Sequence, residues 1–387
     1  MAKQTAYIRK NAIQGKRIKL LNTPATGRKF KLNNPNNLVI VGSQTDEETY
    51  VSYDNGKQWE SLGIDSFIRQ RNFALSGNMK YWTYASGDID GTYYVMHSSN
   101  RGRTYNQHVG TSCEYYANIH SSRDGKYMIV GAGNHGSDCG AIHVSQDFGQ
   151  SWTEVGSGPD WHWNNCDISP WGKYMILNAN GDDGYNKISY DYGTTFEDFE
   201  PEEGNVTRLK VLATSGDENY SVIQDDLGWI WVTTDWSTFD AHDISDRTCD
   251  VDISYDGKYI IVAAGDPFAP PAARLFVSQD YGQTFEENFD VPELHWRRAV
   301  NSDDGKFIFA CSNDEYAYKS VDYGTTFQRI NFYPDAGETS IRDCAMSKSG
   351  RHSFFTTSEG LYASHDYMNT WKRIFQGKNM QGLYINY

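Results

Sequence analysis

The fold class that the sequence predicts is all-β, with eight repeated four-stranded units closed into a single wheel. Two motifs recurring in step along the chain predict it, together with the absence of any stretch with helical periodicity. The first motif is Ser-x-Asp-x-Gly-x-x-Trp/Phe. It is intact at Ser52/Asp54/Gly56/Trp59, Ser145/Asp147/Gly149/Trp152 and Ser189/Asp191/Gly193/Phe196, and again at Ser278/Asp280/Gly282/Phe285 and Ser320/Asp322/Gly324/Phe327. Ser98/Asn100/Gly102/Tyr105 swaps two residues, Ser364/Asp366/Trp371 has Met368 in place of Gly, and Thr233/Asp235/Phe239 is one residue short. The first residues of these copies lie 42 to 47 apart, a steadiness that means equivalent supersecondary units.

The second motif precedes each copy of the first. Ser122-Arg123-Asp124-Gly125-Lys126-Tyr127 is followed by MIVG, and Ser254-Tyr255-Asp256-Gly257-Lys258-Tyr259 by IIVA. Ser302–Phe307 and Ser169–Tyr174 are close variants, and divergent ones stand at Asn33–Leu38, Ser76–Tyr81, Ser215–Tyr220 and Ser347–His352. Asp-Gly between apolar runs is a hairpin turn, because glycine supplies the positive φ there. Each unit therefore reads as four strands. Strand one leads into the Asp-Gly turn and strand two is the apolar run after it. Strand three ends at the Ser of the first motif, and strand four starts at its aromatic residue. Units of this size repeated around an axis make a β-propeller, here a single one of eight blades. The expected layout is an N-terminal extension over 1–26, the propeller over 27–375, and a C-terminal tail over 376–387 that suits a ring-closing or docking strand.

Composition agrees. Aromatic residues are 14% of the chain, with 11 Trp and 27 Tyr, enough for a large core. The net charge of −15 argues against general affinity for nucleic acid or anionic membranes. The six cysteines show no metal spacing and are too sparse for a disulfide framework, so buried free thiols are expected. The basic start, MAKQTAYIRKNAIQGKRIKL, lacks the apolar core of a secretory signal, and no apolar run is long enough to span a bilayer. Synthesis in the cytoplasm without a signal peptide is the expectation, with association to a virus or phage particle a compatible setting.

The first motif resembles the Asp-box (BNR) repeat of sialidases, xyloglucanases, the sortilin ectodomain and photosystem assembly factors. The resemblance covers about residues 27–375 and implies propeller blades whose Asp boxes are structural turns, on the face opposite the usual ligand site. It carries no single activity, because enzymes and pure binders share the repeat. Tyr7-Ile8-Arg9-Lys10 and Phe67-Ile68-Arg69-Gln70 are the nearest strings to the sialidase Phe/Tyr-Arg-Ile-Pro motif, and neither has its order or its Pro. A carboxylate recurring in nearly every unit also points to structure rather than to one active site.

Aligning the units on the turn glycine exposes two basic columns at the start of strand one. The first holds Arg28, Arg71, Ala117, Asn164, Lys210, Cys249, Arg297 and Arg342; the second holds Thr26, Arg69, Tyr115, His162, Arg208, Arg247, His295 and Ser340. Residues two apart on a strand face the same way, so stacked basic rings at the channel mouth are expected unless a bulge breaks the register. Like charges about 8 Å apart repel by about 2 kcal/mol at an effective dielectric near 20, so compensation is needed. Asp65, Asp246, Glu293, Glu338 and Asp343 are the local carboxylates available for it. The alternative is a bound anion, such as a carboxylated or sulfated glycan gripped by bidentate arginines. Trp161 is the aromatic best placed to stack on a sugar, whereas Trp163, Trp296 and Tyr116 suit packing between blades.

The expected ligand-binding residues are thus Arg28, Arg69, Arg71, Trp161, His162, Arg208, Lys210, Arg247, His295, Arg297 and Arg342. Loop acids at Asp88, Asp90, Asp138, Asp182, Asp183, Asp266 and Asp314 are weak support for a glycosidase pair. Asp182-Asp183 is open to calcium or to plain solvation, and no other cofactor or metal is expected. The function expected is non-catalytic binding or structure, with an anionic glycan or an acidic protein surface as partner and assembly into a larger particle as one context. A glycoside hydrolase or lyase acting on an acidic polysaccharide is the alternative.

Overall fold

The computed structural model describes residues 38–43, 45, 48–62, 73–87, 93–111, 116–133, 140–157, 163–179, 186–201, 209–225, 227–244, 248–265, 272–314, 316–331, 340–377 and 379–386. Their strands form eight four-stranded antiparallel sheets arranged in a ring, an eight-bladed β-propeller. Blades 2 to 8 are each four consecutive strands, whose first members are Phe73–Leu75, Tyr116–Ser121, Trp163–Ile168, Leu209–Thr214, Thr248–Ile253, Trp296–Asn301 and Ile341–Met346. Blade 1 is made from both ends of the described chain. Leu38–Ser43, Glu48–Ser52 and Glu60–Ser61 supply three strands, and Met380–Asn386 pairs with Leu38–Ser43 as the fourth.

The second strands are apolar without alternation because both faces of each sheet are covered. Ile260–Ala264 and Ile308–Ser312 are buried at every position, which a continuous apolar run predicts. The cores lie between blades. Ile261 and Leu275 of blade 6 pack with Trp296 and Ile308 of blade 7, and Trp296 donates its indole N–H to the Ala273 carbonyl at 2.8 Å. Val39 and Val41 of blade 1 pack with Phe354 and Leu361 of blade 8 in the same way.

The Ser-x-Asp turns hold themselves. In blade 6 the Ser278 hydroxyl donates to Asp280 Oδ1 (2.9 Å) and accepts the Gly282 N–H (2.9 Å). Asp280 also accepts the Thr284 N–H (3.0 Å) and hydroxyl (2.6 Å). Desolvation opposes ionisation of this carboxyl, yet the Thr284 and Ser278 donors outweigh it and hold its pKa below the ordinary value. The divergent copies keep the chemistry. Asn100 Oδ1 replaces the carboxylate in accepting the Ser98 hydroxyl (2.9 Å) and the Thr104 N–H (3.0 Å). In the short copy, Asp235 accepts the Ser237 and Thr238 N–H groups at 2.9 Å each, which draws its pKa down to about 2.

One feature of these turns has no sequence precedent in the two motifs. The residue before the turn glycine is a bulky aromatic in left-handed backbone in blades 3, 4, 6 and 7: Phe148, Tyr192, Tyr281 and Tyr323, with φ of 62 to 64°. Such a conformation costs about 1–2 kcal/mol per residue. Each ring stacks on the tyrosine that follows the turn between strands one and two of the preceding blade, as in Tyr127–Tyr192 at 4.7 Å and Tyr259–Tyr323 at 4.7 Å. A lysine caps the stack, with Lys126 Nζ 4.7 Å from the Tyr127 ring centroid. The aromatic stacks therefore clamp neighbouring blades and offset the backbone strain.

Candidate functional site

The eight axial strands surround a cavity of about 420 Å³, lined by residues from every blade. Where these strands begin, six of them carry a β-bulge at the same position. The register shifts skip Ala117, Asn164, Lys210, Cys249, Arg297 and Arg342 in blades 3 to 8. These are the residues of the first basic column. A bulge re-aims side chains, so the residue after it joins it at the hub instead of alternating away. Arg297 and Arg298 accordingly both line the cavity, as do Cys249 and Asp250. Period-two alternation thus ends at the bulge, and of the second column Thr26, Arg69, Tyr115, His162, Arg208 and Arg247 lie outside the described residues.

The residue after the bulge carries a charge network that the columns did not single out. Arg298 Nη1 donates to Asp343 Oδ1 at 2.8 Å, and Arg298 Nε lies 3.9 Å from Asp250 Oδ2. Desolvation works against the guanidinium charge, but Asp343 and Asp250 override it and raise the Arg298 pKa well above its ordinary value. The carboxylates also reach across to the next blade's backbone. Asp250 Oδ2 accepts the Ala299 N–H (3.1 Å), and Asp343 Oδ2 accepts the Leu383 N–H (2.8 Å). Asp252 accepts the Asn301 N–H (2.8 Å) in the same manner. Its withdrawal from water, reinforced by the Asp250 charge, pushes its pKa up to about 7 despite that bond. Across the hub, His120 Nδ1 lies 3.1 Å from Asp167 Oδ1, which also accepts the Ile168 N–H. Hub acids thus tie blade to blade.

Three of the expected binding residues have described side chains. Arg297 lines the cavity and donates from Nη1 to Asn313 Oδ1 at 3.4 Å. Arg342 Nη2 donates to Asn379 Oδ1 at 3.2 Å, and Asn379 in turn donates to Thr45 Oγ1. Desolvation, followed by the charge of Arg297, lowers the Arg342 pKa, so the two arginines of blades 7 and 8 act on one another. His295 is held by Asp314, which accepts its backbone N–H and lies 3.0 Å from its Nδ1. Asp314, a loop acid weighed for catalysis, is thereby a tether. Asp343 compensates a cation as expected, but that cation is Arg298, and Glu293 lies 3.4 Å from Arg274.

Lys210 lies within the Leu209–Thr214 strand at its bulge. Arg28, Arg69, Arg71, Trp161, His162, Arg208 and Arg247 fall outside the described residues, as do Asp65, Asp182, Asp183, Asp246 and Glu338. Cys166, Cys311 and Cys344 are buried free thiols, whereas Cys249 is half-exposed in the hub. Among the described residues no group of three or more His, Cys, Asp or Glu side chains is arranged to hold a metal ion, and no helix is long and apolar enough to cross a membrane.

The opposite end of the hub is bridged. The Asp-Gly turns bond to one another around the axis, with Arg123 N–H donating to Pro170 O (2.7 Å) and Tyr255 N–H to Asp303 O (2.8 Å). The Arg123 guanidinium lies 5.2 Å from the Tyr255 ring centroid. Those residues belong to blades 3 and 6, which meet only by reaching across the axis.

No protein-family model matches the chain, and no curated protein matches it. Solved structures do. The dihydro-heme d1 dehydrogenase NirN in complex with DHE superposes with a TM-score of 0.64 at 13% identity, covering 91% of this chain and 75% of its own. Apo AztD from Citrobacter koseri gives 0.57 at 10% identity, covering 90% and 99%. YCF48 bound to D1 peptide gives 0.50 at 11% identity, covering 77% and 95%. Identities this low establish the propeller fold that these proteins share with the chain.

Proposed function

We propose that this chain is a non-catalytic binding propeller that receives an anionic group at the arginine-bearing end of its hub. The observation that supports the reading is the placement of Arg297 and Arg342 on the same bulge of neighbouring blades, where their like charges repel, in a protein of net charge −15. A bound carboxylate or sulfate relieves that repulsion and suits the planar donors of arginine. The propellers of similar fold include one solved with a peptide and one with DHE, so the fold leaves the ligand open. The ligand class therefore rests on the Arg297 and Arg342 cations, which favour an acidic glycan or an acidic protein segment. Catalysis gains little support, because the described hub acids are spent on backbone N–H groups and on Arg298.

Polygalacturonate and poly-L-glutamate are the probes that test this, with binding measured by calorimetry at low and high salt. Salt-sensitive binding that weakens at least tenfold in Arg297→Ala/Arg342→Ala supports the reading. Binding indifferent to both substitutions, or no binding of either polymer, overturns it. Release of reducing ends from polygalacturonate would transfer the site to the hydrolase or lyase reading.

A further inference from the structure

Blade 8 departs from the repeat at one place that the hub does not involve. Where blades 2 to 7 carry Tyr81, Tyr127, Tyr174, Tyr220, Tyr259 and Phe307 after the Asp-Gly turn, blade 8 carries His352. Its cross-strand neighbour, one step beyond the paired Ser353 and Ser364, is His365. The two Nδ1 atoms face each other at 2.9 Å, with ring centroids 5.1 Å apart and planes at 63°. Two imidazole nitrogens at that distance need something between them. A single proton serves when no metal is bound, one ring donating and the other accepting.

The separation also brings both nitrogens within reach of one metal ion. Imidazole nitrogens about 2.05 Å from a common metal stand about 3.3 Å apart in a tetrahedron. In cis positions of a square plane or an elongated octahedron they stand about 2.9 Å apart. The observed 2.9 Å is the length of the shared-proton hydrogen bond and also spans two cis positions of the second geometry. We infer that His352 and His365 form a bis-imidazole site for a late first-row divalent ion, copper(II) above all in the order of affinity, which displaces the shared proton and sits to one side of the line between the two nitrogens. His365 is exposed, so solvent or a second ligand completes the coordination. Lys57 and Arg351 lie close enough for their charges to oppose a cation at His365, and Asp366 offsets them in part.

The test uses the full chain and copper(II) alone. Titration followed by electron paramagnetic resonance is expected to give one tetragonal signal per chain, with superhyperfine splitting from two nitrogens. His352→Tyr restores the residue type of the other blades, and His365→Gln keeps a polar group at the exposed position. Each is expected to weaken copper binding at least tenfold and to remove one nitrogen from the spectrum. A melting-temperature rise on adding copper, present in the parent and absent in both variants, is expected as well. Equal affinity in the parent and either folded variant, or a spectrum lacking two-nitrogen coupling, overturns the assignment.

Discussion

Acid should destabilise this propeller through His97, and a single substitution should remove that effect. In blades 3, 5 and 6 the residue before the Ser or Thr of the first motif is Val144, Val232 or Val277. Each of these lies against the next turn's glycine, where an added Cβ would meet it at 2.7 to 2.8 Å. Blade 2 places His97 there instead, against Gly149, only 2% exposed and with Nδ1 2.9 Å from Thr83 Oγ1. Burial, and then the neighbouring His108, lower its pKa to about 4 against the opposing pull of Asp147. An unfolded histidine titrates near 6.5. Above that value both states are neutral and the full stability is present. Between 6.5 and 4 the unfolded chain takes up a proton that the folded one refuses, so stability falls as pH falls. The loss is about 2 kcal/mol at pH 5 and about 3 kcal/mol at pH 4, and it levels off as pH falls through the folded value. His97→Val installs the residue the other blades use. It forfeits the Thr83 hydrogen bond, at a cost of about 1 kcal/mol near neutrality. Urea unfolding at pH 7.5 and 5.0 is therefore expected to show the variant weaker at the first pH and stronger at the second. Parallel pH profiles for variant and parent would refute the assignment of the acid loss to His97.

Two further substitutions test the hub and the blade clamp. Arg298→Met leaves Asp343, 1% exposed, without its cation and is expected to cost about 3–5 kcal/mol in urea unfolding, with partial recovery when Asp343→Asn is added. Gly172→Ala places a Cβ 2.6 Å from Tyr127 Cδ2 at a backbone φ of +86°, and is expected to lower the melting temperature by the equivalent of about 2 kcal/mol or more.

The blades were legible because their punctuation is local. A Ser hydroxyl, an Asp carboxylate and a glycine within five residues decide a turn without help from the rest of the chain, and the hydrogen bonds of Ser278, Asp280 and Gly282 realise that chemistry. Even Met368 is accommodated, giving its N–H to Ser364 Oγ at 3.0 Å from left-handed backbone, while Lys319 of blade 7 donates to its carbonyl. What lay beyond the sequence depends on neighbours far along the chain. Alternation counted back from the turn glycine passes through the bulge at Arg297 without registering it, so Arg298, Asp250 and Asp343 stayed one position away from the column that was singled out. The pairing of His120 with Asp167, from different blades, likewise has no signal in either strand alone.

The bulge also explains how an acidic protein keeps arginines at its axis. A regular strand would turn Arg297 and Arg298 to opposite faces, sending one of them into the packed interface between blades. The bulge keeps both at the hub, where Asp343 and Asp250 neutralise the second and Asp343 at the same time holds Leu383 of blade 1. One carboxylate thus joins blades 7, 8 and 1 across the place where the first and last described strands meet. Under the proposed function, an anion held by Arg297 would share the hub cavity with Asp343, the residue that anchors this junction. A ligand that binds the folded ring alone stabilises it by mass action, so an acidic polymer that leaves the unfolding midpoint unchanged at saturating concentration would refute binding to the ring.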